Sequence, residues 1–230
     1  MKRIAALFDC DGTLYAAQYG RGLMKYASEN GHKRAARLYY ASMLIPFALR
    51  KFKLIAEERF HRPLTSRMAW MVNGTSEQEF HHLSESMFKE YLLPTERPEV
   101  IARLQDHKSK GHVILLVSAM LHPSLEILAN HYKADGFIGT KIEFKKDRYS
   151  GRIIPPVVTG ADKDRYAREY FTANNLEIDW KDSYAYADSI TDTGLLSMVG
   201  SPVAVHPDAK LFSLARSRNW EIIGEMKPGS

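Results

Sequence analysis

The stretch IAALFDCDGTL, residues 4–14, decides the fold of this chain. Its first part, Ile4 to Phe8, is a short continuous apolar run, as expected of a strand that is covered on both faces in a parallel sheet. Asp9 ends the run, and Asp11 follows two residues later. In open α/β sheets the ligand crevice lies at the carboxyl ends of the strands. The stretch therefore predicts two carboxylates at the ligand-binding edge of such a sheet.

Two later apolar runs end in polar residues in the same way. Ser118 follows the run Val113 to Val117, and Asp188 follows the run Tyr184 to Ala187, with Asp192 one helical turn further on. Because the carboxyl ends of parallel strands share one edge of a sheet, we expect these side chains to lie beside the first two carboxylates. Asp and Ser are also common in turns and at helix N-termini. The order of these residues along the chain is therefore what indicates a site.

The predicted elements indicate an α/β fold with an insertion. After the second strand, strands alternate with helices, which implies right-handed crossovers and a Rossmann-like parallel sheet. A hairpin is predicted around Lys146 and Asp147. About a hundred residues separate the first two strands and lack an alternating strand pattern, so we interpret them as helices. We predict a core of residues 1–14 and 95–230 and an inserted all-helical cap of residues 15–94.

The positive charge of the chain is concentrated in the predicted cap. The whole chain carries a net charge of +5, whereas residues 15–62 hold ten Lys or Arg against three acids, a net charge of +7. A positive field beside a ligand crevice would concentrate anionic substrates, and the alternative is an ordinary solvated helix face. No nucleic-acid-binding motif accompanies the charge.

One segment of the predicted cap, Leu38 to Ile55, is apolar and aromatic and is flanked by basic residues. It is too short to cross a bilayer, and Pro46 is expected to interrupt it. It is either the internal packing face of the cap or an amphipathic anchor at an anionic lipid surface.

The cysteine content and the first residues of the chain indicate a reducing compartment. Cys10 is the sole cysteine, so an internal disulfide is excluded, and its place on a strand predicts a buried apolar side chain. The apolar run of MKRIAALF ends at Asp9, far short of a secretion signal. We therefore expect a cytoplasmic protein.

Four segments occur in a fixed order along the chain: DCDGT at residues 9–13, Ser118, Lys163 at the start of a predicted helix, and DSITD at residues 188–192. Together they resemble the haloacid dehalogenase superfamily of aspartate-nucleophile phosphatases. The likeness is greatest to subfamily IB, the phosphoserine phosphatase-like branch, which carries a helical cap inserted after the first segment. For the core, this resemblance extends over nearly the whole chain. In the cap it is limited to the topology. The resemblance implies a phosphatase that forms an aspartyl-phosphate.

The same residues suit the hydrolysis of a phosphate ester. Asp9, at a strand end, is placed to be the nucleophile. The resemblance makes Asp11 the general acid that protonates the leaving alcohol and then the base that activates water. Lys163 can neutralise the phosphoryl group and keep the nucleophile ionised. The Ser118 hydroxyl and the backbone N–H of Ala119 can bind phosphate oxygens.

The carboxylates also predict a metal ion, because crowded carboxylates repel one another unless a cation lies between them. A hard, oxygen-rich and partly hydrated site suits Mg²⁺ better than Zn²⁺ or copper. The resemblance implies that the metal ion contacts the side chains of Asp9 and Asp188 and the backbone carbonyl of Asp11. Asp192 is expected to lie behind these ligands. Thr13 is expected to support this loop by a hydrogen bond.

Gln18 bears on the substrate. Members of the branch that act on phosphoserine resemble one another in a Glu at this position, which meets the substrate amine, and an amide cannot pair with an ammonium group as a carboxylate does. We therefore predict a small organic phosphomonoester first, and the phosphate of a lipid or lysophospholipid second. A phosphate-dependent binding or signalling module, which would also join aspartates to a lysine, is the alternative of another class. The oligomeric state is left open.

Overall fold

The computed structural model describes residues 2–51 and 57–227, and it describes side chains outside residues 47–62. In chain order the strands are β1 (Ala5–Phe8), β2 (Val113–Leu121), β3 (Gly136–Thr140), β4 (Ile142–Lys145), β5 (Arg148–Ile153), β6 (Tyr184–Ala187), β7 (Ser201–Val205) and β8 (Glu221–Ile223). Six of them form one parallel sheet in the order β3-β2-β1-β6-β7-β8. The other two, β4 and β5, form a separate antiparallel hairpin.

Helices occupy the long interval between the first two strands and then alternate with strands. The helices of the interval are α1 (Tyr19–Glu29), α2 (Lys33–Lys51), α3 (Glu57–Met68), α4 (Glu77–Met87) and α5 (Pro98–Ser109). Those that follow are α6 (His122–Tyr132), α7 (Lys163–Ala173), α8 (Thr193–Ser197) and α9 (Ala209–Ser217). Between β1 and α5 the described residues form these helices, short 3₁₀ or π turns and connecting loops, and no strand.

Strand β1 is buried on both faces, as its continuous apolar run predicts. Ala6 and Phe8 pack into one apolar cluster, and Ala5 and Leu7 pack into a second cluster on the opposite face of the sheet. All four side chains are fully buried. Since successive side chains of a strand alternate between faces, an apolar layer on each side requires this uninterrupted run.

The strand order places a crevice beside the end of β1. The chain runs from β1 outward to β2 and β3 and then returns to β6 on the other side of β1. In an open α/β sheet this reversal is the switch point at which ligands bind. Asp9 follows β1 and Asp188 follows β6, so both carboxylates lie at the switch point.

The β4–β5 hairpin is hydrogen-bonded to the turn that precedes α4. The N–H of Gly74 donates to the carbonyl of Tyr149 and the N–H of Tyr149 donates to the carbonyl of Thr75, each at 2.8 Å. The Arg148 guanidinium donates to the Gly74 carbonyl at 2.6 Å. Helix α4 begins immediately afterwards at a capping box formed by Ser76 and Glu79.

The structure confirms the predicted α/β fold with a helical insertion, while the bounds 1–14, 95–230 and 15–94 stay predictions. The hairpin lies where it was predicted, with positive φ at both Lys146 and Asp147. Within the described residues, no helix is long and apolar enough to cross a bilayer.

Some predicted bounds were wrong. Helix α2 continues through Pro46 instead of ending before it. Strand β2 continues past Ser118 to Leu121, with irregular pairing after Val117, so Ser118 lies inside the strand and not at its end. Strand β8 was not predicted, because a three-residue edge strand with one acid gives almost no alternating pattern.

Candidate active site

The Asp9 carboxylate is buried and is held from two sides. Lys163 Nζ donates to Asp9 Oδ1 at 2.6 Å, and Thr13 Oγ1 donates to Asp9 Oδ2 at 3.2 Å. Lys163 opens α7, and its ammonium also lies 2.8 Å from Asp192 Oδ1. Burial disfavours the charge of Lys163, but Asp192 and Asp9 outweigh it and raise the pKa of the ammonium. The arrangement keeps a cation beside the Asp9 carboxylate.

Asp11 is oriented by the start of the insertion. The hydroxyl of Tyr15 donates to Asp11 Oδ1 at 2.9 Å, and the backbone N–H of Tyr19, the first residue of α1, donates to the same oxygen at 3.0 Å. Burial and the Asp9 carboxylate raise the pKa of Asp11 to about 7. One oxygen of Asp11 is therefore fixed, and the carboxyl can carry or release a proton near neutral pH.

Three buried carboxylates meet at the switch point. Asp9, Asp188 and Asp192 each offer an oxygen, and these oxygens lie within 4.8 Å of one another. Burial raises the pKa of Asp188 to about 8 and that of Asp192 to about 6, and the Asp9 carboxylate adds to both shifts. Lys227, near the C-terminus, forms an ion pair with Asp188 and opposes the rise at that residue.

This carboxylate cluster fits a divalent cation. All its ligand atoms are oxygens and its members are buried. Burial is the main cause of the raised pKa values of Asp188 and Asp192, and the Asp9 carboxylate adds to both, so a cation between the carboxylates would relieve their repulsion. Gly12 lets the loop lie against the cluster, because its φ of +79° and its closeness to the Asp188 carboxyl group leave no room for a Cβ. Asp11 could add its backbone carbonyl. Oxygen donors of this kind suit Mg²⁺ better than Zn²⁺.

The residues predicted to bind phosphate and substrate are Ser118, Ala119 and Gln18, and their role stays a prediction. Ser118 is buried on β2, where its hydroxyl contacts the thiol of Cys10 and accepts a hydrogen bond from Met120 N at 3.3 Å. Ala119, next to it, is partly exposed. Gln18 is exposed at the N-cap of α1, and its side chain makes no capping hydrogen bond.

The thiol of Cys10 is buried, as predicted. Burial, Asp9 and Asp11 raise its pKa well above the ordinary value, which favours the protonated thiol.

Sequence reasoning missed several residues of the site. Tyr15 lies four residues after Asp11, a spacing that could have suggested their contact. Arg97 Nε donates to the Gly12 carbonyl at 3.0 Å and so supports the loop. No local signal connects Lys227 with Asp188, because 39 residues separate them.

Comparisons with known proteins agree with this geometry. The profile of haloacid dehalogenase-like hydrolases matches residues 6–197. A phosphoserine phosphatase of Mycobacterium tuberculosis is 31% identical over 227 residues, which cover 95% of this chain and 70% of the relative.

Two solved structures have the same fold. A protein of unknown function from Bordetella pertussis Tohama I superimposes with a TM-score of 0.82 at 22% identity, covering 97% of this chain and 99% of the other. A phospho-aspartyl intermediate analogue of phosphoserine phosphatase gives a TM-score of 0.64 at 15% identity, covering 99% and 95%. With the family profile spanning most of the chain and a relative that is 31% identical over 95% of this chain, the chain belongs to the haloacid dehalogenase-like hydrolases.

Proposed function

We propose that this enzyme is a Mg²⁺-dependent phosphomonoester hydrolase that forms an aspartyl-phosphate on Asp9. The supporting observation is the meeting of Asp9, Asp11, Asp188 and the Lys163 ammonium at one sheet edge, with Lys163 Nζ 2.6 Å from Asp9 Oδ1. The family of hydrolases and the phospho-aspartyl analogue of the structurally similar phosphatase are consistent with this reaction.

In the first step, the Asp9 carboxylate attacks phosphorus while the bond between phosphorus and the leaving oxygen breaks. Thr13 and Lys163 hold the carboxylate in place for the attack. Asp11 gives its proton to the leaving oxygen, which departs as a neutral alcohol. Two hydrogen bonds hold Asp11 Oδ1, so Oδ2 is the oxygen available to carry that proton.

In the second step, water attacks the phosphorus of the aspartyl-phosphate. Asp11, now ionised, takes a proton from the water, and the bond between phosphorus and the Asp9 oxygen breaks. Inorganic phosphate leaves, and Asp9 and the protonated Asp11 are restored. Lys163 stays beside Asp9 throughout and offsets negative charge on the phosphoryl oxygens.

Asp9, Asp188 and Asp192 would hold Mg²⁺, together with the backbone carbonyl of Asp11. The bound ion supplies positive charge that polarises the phosphoryl oxygens. Ser118 and the backbone N–H of Ala119 would bind the remaining phosphate oxygens.

For the substrate, we favour a small organic phosphomonoester that needs no ammonium group. Gln18 is exposed at the start of α1 and offers an amide where a carboxylate would be needed to pair with an amine. The name of the Mycobacterium tuberculosis relative, a phosphoserine phosphatase, makes phosphoserine the reference substrate to test. A lipid or lysophospholipid phosphate is the second candidate, favoured by the exposed apolar side chains of Leu38 and Ile45.

The test is hydrolysis of an aryl phosphate, followed by a panel that includes phosphoserine, sugar phosphates and lysophosphatidate. We expect Mg²⁺-dependent release of phosphate that excess EDTA abolishes and added Mg²⁺ restores. Full turnover by the pure protein in EDTA would contradict the metal requirement.

A second measurement addresses the covalent step. Beryllofluoride with Mg²⁺ should bind as a mimic of the aspartyl-phosphate, in contact with Asp9, Ser118 and Lys163. A fluoride complex far from all three would contradict the proposed site. Tight binding of the mimic without any turnover would instead favour a phosphate-dependent binding or signalling module.

A further inference from the structure

The outward face of helix α2 carries four exposed large apolar side chains. Leu38, Tyr40, Leu44 and Ile45 leave 64%, 58%, 54% and 72% of their surface exposed. They are four of the eight such side chains in the described part of the chain, and they lie within about two turns of one helix. Single exposed apolar side chains are normal on a protein surface, but a cluster of this kind marks an interaction site.

The opposite face of α2 already satisfies the packing of the helix. Ala36 and Tyr39 are buried. Met43 packs against the apolar cluster that contains Tyr39 and Phe8. The exposed apolar residues are therefore not needed to attach α2 to the rest of the molecule. Leu38 and Ile45, seven residues apart, lie on one stripe that faces away from that cluster.

Basic residues flank the apolar side chains. Lys33, Arg34 and Arg37 are exposed in the first turns of α2. From residue 33 to residue 56 the sequence contains six Lys or Arg and no acid. We call the exposed residues Lys33, Arg34, Arg37, Leu38, Tyr40, Leu44 and Ile45 the α2 patch.

We propose that the α2 patch docks this enzyme on an anionic phospholipid surface, with α2 lying in the plane of the interface. Such a surface offers lipid phosphates to the basic side chains and an acyl boundary to the apolar ones, which matches the two parts of the patch. A second copy of the chain is a poorer occupant. The patch carries three cations and no acid, so a two-fold contact between two copies would gather six cations with no anion to pair with them. The proposal concerns where the enzyme works, and it does not rest on the proposed chemistry.

The test is co-sedimentation of the full chain with large vesicles of phosphatidylcholine alone and of equal parts phosphatidylcholine and phosphatidylglycerol. We expect binding to the anionic vesicles, weak binding to the neutral ones, and loss of binding at high salt as the charges are screened. The double variants Leu38→Ser/Ile45→Ser and Arg34→Glu/Arg37→Glu should each lower the partition coefficient at least about tenfold.

Two control variants test whether a loss of vesicle binding is specific to the α2 patch. Ile154→Ser removes an exposed apolar side chain elsewhere, and Lys181→Glu reverses an exposed charge elsewhere, so both should bind vesicles as the wild type does. Aryl phosphate turnover in vesicle-free buffer should be the same for the wild type, Leu38→Ser/Ile45→Ser and both controls, and the melting temperatures of all variants should match that of the wild type, which shows that the fold is intact.

Three results would overturn the proposal. The first is failure of the wild type to bind anionic vesicles. The second is unchanged binding by both double variants. The third is a dimer in sedimentation velocity that Leu38→Ser/Ile45→Ser converts to a monomer, because that would identify a second copy of the chain as the occupant.

Discussion

At the residue scale, the Lys163 ammonium lies between two buried carboxylates, those of Asp9 and Asp192. Removing one member of a buried ion pair leaves an uncompensated charge and typically costs about 3–5 kcal/mol. Substitutions at this site must therefore preserve shape and leave Lys163 with an anionic partner if their effect on catalysis is to be separated from an effect on folding. Asparagine in place of Asp9 meets both requirements, since it can still accept hydrogen bonds and Asp192 still pairs with Lys163.

Asp9→Asn should abolish turnover of an aryl phosphate because the amide cannot attack phosphorus. Lys163 keeps Asp192 as its ionic partner, so the melting temperature should change little. Turnover is measured in stopped assays of phosphate release. The melting temperature is measured by thermal unfolding of the same preparation. Wild-type turnover by Asp9→Asn would show that the covalent mechanism is wrong.

Asp11→Asn should slow turnover by about 10² to 10⁴ through loss of general acid and base catalysis. The loss should be greater for an alkyl phosphate than for nitrophenyl phosphate, because nitrophenolate leaves readily without a proton. The measurement is kcat/KM for both esters in wild type and variant. Equal losses for the two esters would count against Asp11 as the acid.

Gly12→Ala should damage the carboxylate cluster without altering any ionisable group. The added Cβ would overlap the Asp188 carboxyl group and lie 2.8 Å from Lys227 Nζ, at a φ of +79°. We expect the Mg²⁺ concentration for half-maximal activity to rise at least about tenfold, in addition to a strain of about 1–2 kcal/mol.

Gly111→Ala is the matched control, because Gly111 has a φ of +71° and open space around it. In urea unfolding, Gly111→Ala should lose stability through the backbone strain. The Mg²⁺ concentration for half-maximal activity should stay unchanged. A similar loss of Mg²⁺ response in both variants would mean that strain, and not overlap with Asp188, is the cause.

At the element scale, the end of helix α5 is joined to strand β6 by a buried histidine. His107 Nε2 lies 2.8 Å from the hydroxyl of Tyr186, and its Nδ1 lies 2.9 Å from His112 Nδ1. Burial and the neighbouring His112 lower the pKa of His107 to about 4. An unfolded histidine has a pKa of about 6.5. Below that pH the unfolded chain binds a proton that the folded chain refuses, so acid destabilises the fold.

The free energy of unfolding should therefore fall by about 2 kcal/mol through His107 alone as the pH is lowered from 7.5 to 5. Urea unfolding of the metal-free protein at both pH values measures this, with His107→Gln compared with the wild type. The variant should lose less stability on acidification. His81→Gln, at an exposed position, should behave as the wild type, and an identical pH dependence in all three proteins would contradict the role of His107.

Elements with strong local patterns could be predicted from the sequence, and weaker ones could not. Tyr184 to Ala187 forms β6 with the predicted bounds, because a buried run ended by Asp has sharp limits. Ser118 was placed wrongly because a polar residue was taken as the end of β2, whereas its hydroxyl lies inside the strand beside Cys10. Buried polar residues inside strands need partners from elsewhere in the fold, and a local pattern does not contain them.

In the candidate site too, residues with a local sequence signal could be predicted, and residues that act through distant contacts could not. Asp9 and Asp188 could be placed because each ends a buried strand, and Lys163 because it opens a helix at the expected point in the order. Arg97 and Lys227 could not, since their contacts join segments that are distant in sequence. The catalytic and binding roles of all these residues stay predictions.

At the scale of the whole molecule, the predicted family and fold are confirmed, while the substrate, the cytoplasmic location and the effect of the basic cap stay predictions. Arg34 and Arg37 are exposed on α2, whereas the side chains of Arg50 and Lys51 and the whole of Lys53 lie outside the described residues. If these cations bind substrate groups remote from phosphorus, they should affect kcat/KM more than the chemical step.

Arg34→Glu/Arg37→Glu should therefore lower kcat/KM several-fold for a soluble phosphomonoester that carries further negative charge, and leave a small aryl phosphate nearly unaffected. Exposed charges are screened over about 8 Å at physiological salt, so the difference should shrink as salt is added. Lys181→Glu is the control for a charge reversal elsewhere. Phosphoserine as the best substrate of a broad panel, with no effect of the reversal, would mean that Gln18 and the basic surface do not set specificity.

The backbone hydrogen bonds between Tyr149 and the Gly74–Thr75 turn have a consequence for the exchange of parts between relatives. The helical insert and the β4–β5 hairpin are far apart in the gene but share one backbone ladder. A chimera whose insert follows a different backbone path at this turn would leave these amide and carbonyl groups without their partners. Recombination among relatives should therefore preserve the pair, so that insert and hairpin descend together as a single inherited unit even where the intervening sheet has a different ancestry.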